Sequence, residues 1–82
     1  MSSTDWQETV YEQNYSSTLT SLRRRRTEDP LFSAGAARAI LGHLYIQDGN
    51  DQGGRGELQD LYLRATIDAH EAFIAELERE QQ

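Results

Sequence analysis

Apolar side chains recur at helical spacing in three stretches of the chain, separated by two runs of helix breakers. The last stretch, Glu57 to Glu80, is the longest and holds neither glycine nor proline. Two apolar seams run along it. Leu58, Tyr62, Ala65, Ala69 and Ala72 recur at alternating steps of four and three, and so do Leu63, Ile67, His70, Ile74 and Leu77. At 100° per residue the seams lie roughly 140° apart, leaving a polar strip of Asp60, Arg64, Asp68, Glu71 and Glu78. One apolar stripe needs one neighbour, and two stripes need two. The C-terminal helix is therefore expected to be the element on which the others pack.

Upstream, Tyr11, Tyr15, Thr18, Leu19 and Leu22 share a face, with Trp6 and Val10 at its edge. They predict a first helix over about residues 5–25. Thr4 with Gln7, or Asp5 with Glu8, has the spacing of a capping box that opens it. Ser16, Ser17, Thr18 and Thr20 are poor helix formers, so docking has to stabilise this element. The breaker Thr27-Glu28-Asp29-Pro30 follows. Either Pro30 occupies the first turn of the next helix, or Leu31 and Phe32 form a hydrophobic link and Ser33 caps it. The second helix is expected over about 33–47, with Ala37, Ile40, Leu41 and Leu44 inward. A second strip carries Gly35, Ala39, Gly42 and Ile46. Glycine in a helix costs about 1 kcal/mol against alanine, so glycines on one face suggest close approach by another backbone. Asp48 to Gly56 holds four glycines and reads as a long loop, with Gly49 ending the second helix in the left-handed conformation.

The fold class that follows is all-α: residues 1–82 form a single helical domain, a small three-helix antiparallel bundle that dimerisation would complete. Helix 2 should lie against helix 3, with helix 1 across both. The third helix, 57–80, would be some 36 Å long. The second is too short to cover it, so part of Ile67, Ile74 and Leu77 should stay exposed in a monomer. An exposed seam of that kind marks a protein interface. The interface expected from sequence is therefore Leu63, Ile67, His70, Ile74 and Leu77.

Composition narrows the function classes. An 82-residue chain buries only about 60 % of its extended surface, and without cysteine it has neither a disulfide staple nor a thiolate metal site. No apolar run reaches the roughly 20 residues of a membrane span, and the N-terminus lacks the pattern of a signal peptide, so a cytoplasmic location is expected. The charge of −6 is unevenly spread. Residues 1–47 balance five acids with five arginines, while residues 48–82 hold nine acids and three arginines. The acidic half should repel nucleic acid and anionic membrane, or meet a basic protein surface.

Three motifs carry candidate chemistry. Arg23, Arg24, Arg25 and Arg26 would neutralise the negative end of the first helix, and as a cluster they would also suit phosphate or nucleic acid. In the 48–59 segment Asp48, Asn50 and Gln52 occupy the first three ligand positions of a calcium loop, with Gly53 at the turn. The twelfth position, which needs a bidentate glutamate, is Gln59. His43 and His70 are the only side chains whose ordinary pKa lies near neutrality, and His70 falls on an apolar seam, which suits a packed residue. Nothing assembles a nucleophile, a base and a pocket, and no cofactor is implied. The sequence thus points to a non-enzymatic module that binds a protein partner or its own copy.

Overall fold

A computed structural model describes residues 5–50 and 56–80. It contains three helices, α1 (Asp5–Glu28), α2 (Ala34–Asn50) and α3 (Glu57–Glu80), and no strand among the described residues. The chain is a small helical bundle in which α1 and α2 both pack on α3. Side-chain pairs fix the directions. Tyr11 meets Asp68, Arg23 meets Glu76 and Arg26 meets Glu80, so α1 runs parallel to α3. Arg38 meets Glu78 and Tyr45 meets Glu71, so α2 runs antiparallel to it. The topology is up, down, up. Contrary to expectation, α1 does not cross α2: among the described residues the two backbones approach α3 and not each other.

The arrangement follows from the width of the apolar surface on α3. Its buried residues, in order around the wheel, are Ala65, Ala69, Phe73, Leu77, His70, Leu63, Ile74 and Ile67. At 100° per residue they span an unbroken arc of roughly 200°. The two seams are thus the margins of one broad surface, and Phe73, which belongs to neither, fills the gap between them at 1 % exposure. Small alanines on one margin let α1 lie close. Leu19 and Leu22 of α1 are buried there, and Tyr15 packs against the core beside them. On α2, Ala34, Ala37 and Leu41 are buried and Ile40 and Leu44 pack against the core, matching the face read from spacing.

The first breaker resolves in favour of Ser33 as the cap. Its Oγ accepts from the Ala36 N–H (3.4 Å) and its carbonyl from the Ala37 N–H (3.0 Å), so α2 starts after Pro30. Asp29 instead folds the turn, its Oδ1 accepting from the Leu31 N–H and its carbonyl from the Phe32 N–H, both at 3.0 Å. That turn sends Leu31 into solvent and Phe32 into the core. Phe32 stacks on Phe73 at 5.7 Å between centroids, and the Arg25 guanidinium lies over the Phe32 ring, 4.4 Å from its centre. A connecting residue thereby becomes part of the core.

The second breaker begins later than expected. Gly49 keeps helical backbone rather than the left-handed conformation, and α2 continues to Asn50. The helical glycines do not mark close approach either. A Cβ on Gly42 or Gly49 would meet nothing within 4 Å, and on Gly35 only the Ser33 Oγ at 3.6 Å. Their strip is the outer face of α2, opposite the buried one. Thr4, one alternative start of the first capping box, and residues 51–55 of the loop lie outside the described residues.

Candidate functional site: the open end of the bundle

The seam expected to be an interface lies inside the chain. Leu63, Ile67, His70, Ile74 and Leu77 are each between 4 % and 8 % exposed, because α1 and α2 flank α3 on both sides. The expectation that Ile67, Ile74 and Leu77 stay exposed is thus corrected: it considered α2 alone as the cover. His70 is held within this core, with Nδ1 2.8 Å from the Thr66 carbonyl. A carbonyl only accepts, so Nδ1 carries the proton in that contact. His43 sits on the exposed outer side of α2.

The arginine tract is helical, since α1 runs two residues past it. Consecutive residues in a helix are 100° apart, so four neighbours splay around the cylinder and cannot form one phosphate fork. Each has its own direction. Arg23 binds Glu76 through both Nε (3.2 Å) and a terminal nitrogen, Arg26 pairs with Glu80, and Arg25 covers Phe32. Arg24 is exposed and makes no ion pair among the described residues. Glu76 is held below the usual carboxylate range by the Arg23 hydrogen bond, and the same bond raises Arg23. These pairs fasten the ends of α1 and α3 to one another.

The calcium-loop reading loses its geometry. Asp48 and Asn50 fall within α2, so the first part of the segment is helix rather than loop. Gln52 lies outside the described residues, and no cluster of metal-ligating side chains occurs among those described.

The surface that sequence reasoning missed is at the opposite end from the arginine pairs. Tyr11 meets Asp68 and Arg23 meets Glu76, so the described start of α1 falls beside the first turns of α3. The Ala65–Ala69 row continues toward the N-terminus of α3 as Tyr62 and Leu58, beside the first described turns of α1. Both are exposed, at 41 % and 43 %, and Trp6 at the same end of the molecule is 47 % exposed. The apolar row of α3 is therefore exposed at this end. Its signal was already in the sequence, in the registers of the two helices, but register becomes legible only once their direction is known.

Beside this end lies an open cleft of about 470 Å³, lined by Gln7, Glu8, Tyr11 and Glu12 of α1 and by Leu61 of α3. Tyr11 forms its fixed part. Its hydroxyl donates to Asp68, its ring stacks on Tyr15 at 6.1 Å, and the hydrogen bond to Asp68, with partial burial, pushes its pKa up to about 12. Arg64 is the one cation that opposes this shift. Glu8 and Glu12, by contrast, make no ion pair among the described residues. They are one helical turn apart, where like charges repel by a few tenths of a kcal/mol. Glu8 is in the first turn, where the helix dipole favours an acid; Glu12 is too far along to gain from it. Among the described residues no helix is long and apolar enough to cross a membrane. No protein-family model matches the chain, and no match was found among curated proteins or solved structures.

Proposed function

We propose that the protein is a small, non-enzymatic interaction module that docks a protein through the open end of the bundle. The observation that carries this reading is the exposed group Trp6, Leu58 and Tyr62 at the end of the bundle where α1 and α3 begin. Exposed aromatic side chains with one apolar and one polar edge are favoured at interfaces, where they supply large contact area at low entropic cost. The opposite end is closed by Arg23–Glu76, Arg26–Glu80 and Arg38–Glu78. The docking role moves from the buried seam to this end, while the kind of function expected from the sequence is kept.

A photo-crosslinking residue placed at Leu58 tests the proposal in cells. A discrete protein adduct is expected, lost on Trp6→Ala/Tyr62→Ala and absent when the same crosslinker replaces exposed Thr20 on α1. Equal labelling from both positions, or none from Leu58, overturns it.

A further inference from the structure

We infer that the cleft beside the open end takes a lysine or arginine side chain from a basic segment of the protein partner, a deepening that rests on the docking reading above. Charge selects this occupant. The two carboxylates on the cleft wall, Glu8 and Glu12, make no ion pair among the described residues and repel one another, so a cation between them relieves a cost the free protein carries. The lining also suits a cation with an aliphatic stem. Leu61 offers apolar surface to the stem, and the Tyr11 ring offers a face to a guanidinium or ammonium. Tyr11 is held in place by Asp68 on one side and Tyr15 on the other, so the surface is organised before binding. Gln7 lines the same wall.

Other occupants fit worse. A second copy brings the same acids and a charge of −6, and of its arginine tract Arg23, Arg25 and Arg26 are already engaged within the chain. Nucleic acid and anionic membrane are repelled by Glu8 and Glu12. Arg64 is the nearby cation with a bearing on Tyr11, and it lies on α3, outside the lining.

The probe is a labelled amphipathic peptide of arginine and leucine at helical spacing, with a second peptide carrying glutamate for arginine. Binding is followed by anisotropy and by the emission of Trp6, the chain's single tryptophan. The arginine peptide is expected to bind, and Glu8→Gln/Glu12→Gln to weaken it at least about tenfold, the scale of one or two desolvated charge pairs. Both positions are exposed, and circular dichroism checks that the double variant folds. Glu28→Gln/Glu78→Gln removes the same charge from the opposite end and is expected to change binding by less than about twofold, because distant exposed charges are screened. Equal weakening by the two double variants overturns the inference, since only net charge would then matter. So does binding of the glutamate peptide at similar strength, or self-association of the chain that Glu8→Gln/Glu12→Gln alters. If the Leu58 adduct survives in Glu8→Gln/Glu12→Gln but not in Trp6→Ala/Tyr62→Ala, the open end docks its partner without the cation. That outcome overturns this inference and leaves the docking reading standing.

Discussion

Tyr11 shows how a single side chain ties two helices through a proton. Its neutral phenol donates to Asp68, and ionising it would set two anions against each other. A folded-state pKa raised from 10.0 to about 12 contributes stability that is fully present below pH 10 and lost as pH rises toward 12. In alkaline urea titrations the wild type should therefore lose stability across that window and Tyr11→Phe should lose less. Absorbance should show Tyr11 and Tyr45, whose hydroxyl donates to Glu71 at 2.5 Å, ionising above the range of a free phenol. Gly42 illustrates the opposite case, a residue that costs stability with no visible return. With nothing within 4 Å of its missing Cβ, Gly42→Ala should stabilise the protein by about 1 kcal/mol, measured by urea denaturation. A loss of stability would mean that another backbone does approach this face. Residue-scale detail was the least legible part of the sequence. Phe73 sits between two alternating seams and was assigned to neither, and Phe32 was taken for a connection because its burial depends on the path of a turn.

At the scale of elements, spacing sufficed where a helix keeps one environment along its length. The bounds of α3 agree with expectation, and the inward faces of α1 and α2 were visible in their apolar periods. Helix ends were harder. α1 persists through the arginine tract because Arg23, Arg25 and Arg26 find partners on α3 and on Phe32, and α2 continues through Gly49, which keeps helical backbone. The central seam gives a sharp test. Ile74 lies within the monomer's core, so Ile74→Glu leaves an uncompensated buried charge and should cost about 3–5 kcal/mol. Thermal melts followed by circular dichroism should show the same loss across a hundredfold range of dilution. A defect confined to high concentration would instead assign Ile74 to a contact between copies.

For the whole molecule, α3 is a shared spine with two flanking helices whose backbones, among the described residues, approach α3 and not one another. The number of helices, their order and the central place of α3 were readable from apolar width alone. Which end would be open was not, because it depends on the relative register of α1 and α3, set by Tyr11–Asp68 and Arg23–Glu76. The parallel course of those two helices has a mechanical consequence. Handles attached at residues 5 and 80 would emerge from opposite poles, and tension between them would slide α1 along α3, loading the Tyr11, Arg23 and Arg26 attachments together. Handles at residues 28 and 80, both at the same pole, would peel the helices apart one attachment at a time. Single-molecule pulling should therefore find a higher rupture force for the first geometry than for the second, and equal forces would mean that the two helices do not bear load in register.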